Sequence, residues 1–218
     1  MKVWAAVPVK EFTGAKQRLA AMLTPAQREL LAATMLEDVL AALAGARRLG
    51  GIMVNTAEPR AVLLAQRYGA YVVTDGARDG HTGAVLGMAR ALAAEGRAML
   101  TLPGDIPRVT PAEIDTLVSS CRPAPSFTIV PAHDEQGSNA VLCAPPGVVP
   151  LRFGEDSYFP HLAAARRCGI EPTIVRLPGI ALDIDHPADL RRFLQAPGMP
   201  TRTLALLEKL SRGSGAGA

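Results

Sequence analysis

Short apolar runs alternate along the chain with stretches whose apolar residues recur every three to four positions. The runs are VWAAVPV (3–9), GIMVNT (51–56), AYVVT (70–74), AMLTLP (98–103), FTIVPA (127–132), NAVLCAP (139–145) and PTIVRLP (172–178). Each has the length of a strand and is bounded by turn residues. Helical spacing covers 24–43, 58–67, 82–95, 110–121, 158–168 and 187–195. Two of these segments open with the same device: Thr24, Pro25 and Gln27, then Thr110, Pro111 and Glu113, each a capping box with proline at the first helical position. Strands alternating with helices predict right-handed crossovers and a mostly parallel sheet covered on both faces, a three-layer α/β/α domain. No internal repeat or linker interrupts residues 1–196. Over 197–218 the pattern changes: TRTLALLEKLSR has one amphipathic face, and GSGAGA reads as a flexible tail.

At 218 residues the chain is long enough for one sizeable core. Few aromatics and much alanine predict a core of Val, Leu, Ile and Ala. The net charge of +3 is mild and no basic block is interleaved with aromatics, which fits phosphorylated small molecules as partners and argues against nucleic acid. Cys121, Cys143 and Cys168 are widely spaced and not grouped with the histidines, so idle thiols in a reducing compartment are expected. The start MKVWAAVPVK is too short an apolar stretch for a leader, and no run reaches the length of a membrane span; a cytoplasmic protein is expected.

In open parallel sheets ligands bind beyond the carboxyl ends of the strands, so the residues following each run carry the chemistry. After the first run, PVKEFTGAKQRL sets Lys10, Lys16 and Arg18 around Gly14. Ammonium groups and a guanidinium fork at a flexible turn suit a triphosphate, although a solvated basic loop would look the same, and no Walker A pattern is present. After the fourth run, LPGDIP ends on Asp105. In ALDIDHP, Asp183 and Asp185 stand two apart, on one side of an extended chain. Magnesium takes one or two carboxylates plus phosphate oxygens, so Asp105, Asp183 and Asp185 are candidate ligands if the fold brings them together. Asp185 has an alternative duty as a helix cap. GSNAV places Ser138 and Asn139 at the start of a strand, and FGEDSYFPH places Gly154 and Ser157 before a helix, where an anion site or an N-cap is equally served. His81, His133, His161 and His186 lie near helix ends or connections, where histidine is commonly structural.

Taken in order, VPVK with AKQRL, LPGDIP, GSNAV, FGEDSYFPH and LDIDHPADL resemble the CofC/FbiD guanylyltransferases of coenzyme F420 biosynthesis, nucleotidyltransferases with a single MobA-like α/β/α domain. The resemblance covers about residues 1 to 195. It implies condensation of GTP with 2-phospho-L-lactate, phosphoenolpyruvate or 3-phospho-D-glycerate and release of pyrophosphate. By matched position it implies Asp105, Asp183 and Asp185 as Mg2+ ligands, Ser138, Gly154 and Ser157 as acceptor-binding residues, and Lys10 and Lys16 on the GTP phosphates, with Arg18 beside them. Asp105, Lys10 and Lys16 are thereby the candidate catalytic groups.

One stretch departs from the family pattern. Where many members have D…GLNAAL, this chain has DGHTGAV, so His81 and Thr82 replace a leucine and an asparagine at the expected nucleotide site. Base choice is open at this point. So are another acceptor, a sugar-nucleotide chemistry suggested by the Asp183-x-Asp185 spacing, a non-catalytic nucleotide-binding role, and assembly into homodimers.

Overall fold

Alternate residues of the strands leave the sheet on opposite sides and fill two separate cores. In β1 (Val3–Pro8), Val3, Ala5 and Val7 enter one core, and Trp4 and Ala6 the other, which is the two-residue period of an extended chain. β2 (Gly51–Asn55) repeats this with Ile52 and Val54 against Met53, and β4 (Ala98–Thr101) with Leu100 against Met99. Burial on both faces is why these strands read as unbroken apolar runs. The chain described here is a computed structural model covering residues 1–154 and 156–214.

The first core is closed by α1 (Pro25–Gly45), α2 (Pro59–Arg67) and α4 (Pro111–Ser119). The second is closed by α3 (Gly80–Ala94) and α5 (Tyr158–Arg167). With β3 (Tyr71–Val73), β5 (Ser126–Pro131), β6 (Ser138–Ala144) and β7 (Thr173–Ile174), the seven-stranded sheet has the order β3-β2-β1-β4-β6-β5-β7. Among the described strands, only β6 runs against its neighbours, β4 and β5. The segment 132–137 that joins β5 to β6 is too short for a crossover, so the two strands must form a hairpin. The sheet is therefore mostly parallel, as the alternation of patterns predicts.

Both expected capping boxes form. Gln27 N–H donates to Thr24 Oγ1 at 3.3 Å and Glu113 N–H to Thr110 Oγ1 at 3.2 Å. The run 172–178 departs from expectation. Only Thr173 and Ile174 pair with β5, and Pro178 opens the short α6 (Pro178–Ala181). Proline lacks the ladder donor but suits a first helical turn.

A third apolar cluster lies at the carboxyl end of the sheet. It joins Leu19 from the basic loop to Leu182, Ile184, Leu190 and Phe193, and to Leu207 of α8 (Arg202–Ser214). The residues after 201 thus form a docked helix whose backbone takes in the first two residues of the expected GSGAGA tail (213–218), and the rest of that tail, 215–218, lies outside the described residues. Asp38 of α1 holds the amino end of α8, accepting from Arg202 N–H at 3.0 Å and Thr203 N–H at 2.9 Å. Cys121, Cys143 and Cys168 are free thiols, and no helix among the described residues is long and apolar enough to cross a membrane.

Candidate active site

β1 and β4 are adjacent and parallel, so the loops that follow them emerge side by side. The loop after β1 is held at both ends. Phe12 is buried and its N–H donates to Glu58 Oε2 at 3.0 Å, while the buried Arg28 guanidinium donates to the carbonyls of Ala15 and Leu23. Between these anchors Lys16 adopts the left-handed conformation, with φ 53° and ψ 42°. A side chain with a Cβ pays roughly 1 kcal/mol or more for that conformation. Here it turns the Lys16 ammonium inward, 2.6 Å from Asp105 Oδ2 and 2.6 Å from Asp185 Oδ1.

The LDID segment supplies its carboxylates through the same two-residue period. Leu182 and Ile184 face the third apolar cluster, which turns Asp183 and Asp185 to the cleft. Ile184 N–H donates to the Asp105 carbonyl at 3.1 Å and fixes the two loops together. Asp185 does not cap the following helix, α7 (Pro187–Gln195). Asp189 does, accepting from Asp185 N–H at 3.2 Å and His186 N–H at 2.7 Å, so the Asp185 carboxylate is left for Lys16.

Electrostatics separate Asp183 from Asp185. Burial and the neighbouring Asp105 charge push Asp183 up to about 6, although the Asn139 amide donates to its Oδ1 at 3.0 Å. Burial acts on Asp185 in the same direction, but the Lys16 ammonium overrides it and holds that carboxyl below its ordinary value. Burial opposes charge on Lys16 too; Asp105 and Asp185 together outweigh it and raise its pKa.

Asp105 Oδ1 is buried with no hydrogen-bond partner among the described residues. An orphaned carboxylate oxygen beside two further carboxylates fits a cation. As the side chains stand, however, no set of three described His, Cys, Asp or Glu residues is arranged to enclose an ion. Lys16 is the positive charge between Asp105 and Asp185.

Two cavities meet here. The first, about 880 Å³, runs along the basic loop from Lys10 to Arg18 and past Ala57, Arg78 and Gly104. The second, about 840 Å³, is lined by Ser138, Asn139, Gly154, Ser157, Thr82 and Asp183. Lys10, Arg18, His81, Asp105 and Asp185 line both and form their common boundary. The candidate metal, nucleotide and acceptor residues singled out from the sequence therefore border one continuous cleft, with His161 buried behind it. Arg18 lies 3.2 Å from His186 Nε2 and 4.0 Å from Asp185 Oδ2.

His81 and Thr82 separate in role. His81 packs against Phe153 with ring centroids 4.8 Å apart and the rings tilted by 58°, and burial lowers its pKa. Thr82 lines only the second cavity, and its Oγ1 accepts the Phe153 N–H at 3.2 Å. Sequence reasoning missed the contributions of Glu58 and Arg28. They act on the site by holding other groups, and nothing in their local spacing signals it.

The chain matches the family described as "Guanylyl transferase CofC like" over residues 2–212. It is 37% identical to a phosphoenolpyruvate guanylyltransferase of Rubrobacter xylanophilus over 93% of this chain and 98% of that one. It is 31% identical to a 2-phospho-L-lactate guanylyltransferase of Methanothermobacter thermautotrophicus, covering 98% and 96% respectively. A crystal structure of a protein from Desulfovibrio desulfuricans, described as a "putative nucleotide-diphospho-sugar transferase", superposes with a TM-score of 0.73 at 19% identity over 98% of both chains, which establishes the likeness of fold. With a match that spans nearly its whole length and relatives of this similarity, the chain belongs to the CofC-like guanylyltransferase family.

Proposed function

We propose that this enzyme transfers the guanylyl group of GTP to the phosphate of a small three-carbon acid and releases pyrophosphate, in coenzyme F420 biosynthesis. The observation that carries the reading is the boundary at Asp105 and Asp185, both paired with Lys16, between a cavity walled by the basic loop and a cavity walled by serine hydroxyls. A triphosphate laid along the first and an anionic acid in the second would meet at that boundary. The relatives named above are a phosphoenolpyruvate and a 2-phospho-L-lactate guanylyltransferase, which supports an acceptor of the same class for this chain.

An oxygen of the acceptor phosphate attacks the α-phosphorus of GTP. A new P–O–P bond forms, the bond from the α-phosphorus to the bridging oxygen breaks, and its electron pair leaves with pyrophosphate. The attacking oxygen is already anionic at neutral pH, so the site needs no strong base. Its task is to bring two anions together in line and to neutralise their charge. Lys10 and Arg18 line the cleft where the β- and γ-phosphates would lie, and Lys16 faces the reacting centre. Asp105, Asp183 and Asp185 would hold Mg2+, which when bound supplies further charge neutralisation between the two phosphates. GTP and phosphorylated acids are soluble metabolites, which fits a cytoplasmic enzyme.

A pyrophosphate-release assay crossing four nucleoside triphosphates with phosphoenolpyruvate, 2-phospho-L-lactate and 3-phospho-D-glycerate tests the proposal. Release is expected with GTP and one or more of the acids, dependent on Mg2+. No release from GTP with any of the three would refute it.

A further inference from the structure

The serine-lined cavity is backed by a buried imidazole whose hydrogen bonds fix the polarity of the hydroxyls in front of it. His161 lies on α5, is 1% exposed, and is enclosed by Phe153 and Phe127 at ring-centroid distances of 5.1 and 6.4 Å. The backbone N–H of Arg152 donates to its Nε2 at 3.1 Å. An amide can only donate, so Nε2 carries the lone pair and the single proton of the neutral ring sits on Nδ1. Nδ1 lies 3.0 Å from Ser138 Oγ, which must then accept.

The remaining contacts complete the count. Ser138 N–H donates to Ser157 Oγ at 3.0 Å, and Ser157 Oγ–H donates to Ser138 Oγ at 3.2 Å. Ser138 Oγ thus accepts twice, filling both of its lone pairs. The pair holds two hydroxyl protons. One closes the contact between the serines and the other has no acceptor within the network. Since both residues line the cavity, that proton is left for a ligand. The frame is stiff: Ser157 N–H and Tyr158 N–H both donate to the Gln136 carbonyl, at 3.0 and 2.9 Å, tying the start of α5 to the turn before β6.

We infer that His161 is a positioning residue that, through its Nδ1–H, commits the Ser138–Ser157 pair to donate one hydrogen bond to an anionic oxygen of the acceptor acid. The inference rests on the acceptor placement given under the proposed function. It extends that placement by giving Ser138 Oγ a fixed sign: with both lone pairs filled it offers its proton to a hydrogen-bond acceptor such as a carboxylate oxygen, and a ligand group that must donate finds no free lone pair on it. Burial lowers the His161 pKa to about 4, which keeps the ring neutral at working pH.

Two measurements on the full chain test this. Long-range 15N–1H correlation spectra of histidine-labelled protein, assigned by comparison with His161→Asn, should show a protonated Nδ1 and a bare Nε2 at neutral pH. Calorimetric titration with phosphoenolpyruvate in Mg2+ should show about tenfold weaker binding for His161→Leu and for Ser138→Ala, the size of one hydrogen bond to a charged group. The double variant should be no weaker than Ser138→Ala alone. His161→Asn, which can place an amide N–H near the Nδ1 position, should recover most of the loss. An Nε2-protonated ring, or single-variant losses that add in full in the double variant, would overturn the inference. Neither measurement needs turnover, so a wild-type chain that binds the acid in this pattern but releases no pyrophosphate would refute the guanylyl reading and leave this one standing.

Discussion

The Lys16 ammonium lies 2.6 Å from Asp185 Oδ1 across 169 positions of the chain. With Asp105 on its other side, it neutralises two carboxylates that would otherwise repel each other. Lys16→Met should therefore lower kcat/KM by on the order of 100-fold, the scale for removing one donor aimed at developing charge. The same variant separates this role from a structural one. With its carboxylates released, added Mg2+ should raise its Tm more than it raises that of the wild type. An equal Mg2+ response in thermal melts would sink the view that lysine and metal share these carboxylates.

Asp183 carries the opposite trade. Its carboxyl is raised to about 6 in the folded chain by burial and by Asp105. The folded state therefore holds its proton more tightly than the unfolded chain does, and this contribution to stability is complete below the ordinary aspartate value and lost as pH rises through about 6. At pH 7 the ionised group costs stability, about 1–2 kcal/mol after allowance for its partial exposure to the cleft. Asp183→Asn removes that charge and keeps an oxygen for the Asn139 amide. The variant should lose turnover by at least about 100-fold while losing less stability than the wild type between pH 5 and pH 7.5 in urea denaturation.

Much of this site could be read from the chain, and the limits have physical causes. Strand ends, proline and glycine punctuation and the Asp183-x-Asp185 spacing are local signals, so they marked Asp105, the basic loop and the carboxylate pair. The left-handed turn at Lys16 is set by anchors at Glu58 and Arg28 that lie far away in sequence or inside another element. His161 looks like any histidine near a helix start until Arg152 and Ser138 are seen on its two nitrogens. The run 172–178 misled in length because its apolar residues serve the strand for two positions and then α6.

Thr82 occupies the position where a purine-reading asparagine was expected, yet its oxygen accepts the Phe153 N–H and it lines only the second cavity. Thr82→Val removes that acceptor with little change of shape. It should raise KM for the acid about three- to tenfold, as expected for loss of one neutral hydrogen bond that holds the acceptor loop. The ratio of kcat/KM for GTP over ATP should stay unchanged. A collapse of that ratio would return Thr82 to the base.

The docking of α8 also bears on the site, through packing. Asp38 accepts from two backbone N–H groups at the start of the helix and lies 3.4 Å from the Arg202 guanidinium. Leu207 packs into the same cluster as Leu182 and Ile184, the residues that turn Asp183 and Asp185 outward. Thr201 Oγ1 caps the helix, accepting from Leu204 N–H at 3.1 Å, so Asp38→Ala leaves that cap in place and takes the partner from the Arg202 and Thr203 amides. Leaving such a donor unsatisfied costs about 1–3 kcal/mol. Hydrogen exchange should then accelerate first in α8 and next in residues 182–190, before the strands of the central sheet. If α8 loosens while 182–190 keeps wild-type protection and the acid binds as before, the helix is a surface addition with no hold on the carboxylates. Coupled loosening, with weaker binding of the acid, would mean that the orientation of Asp183 and Asp185 depends on a helix that never touches the substrate.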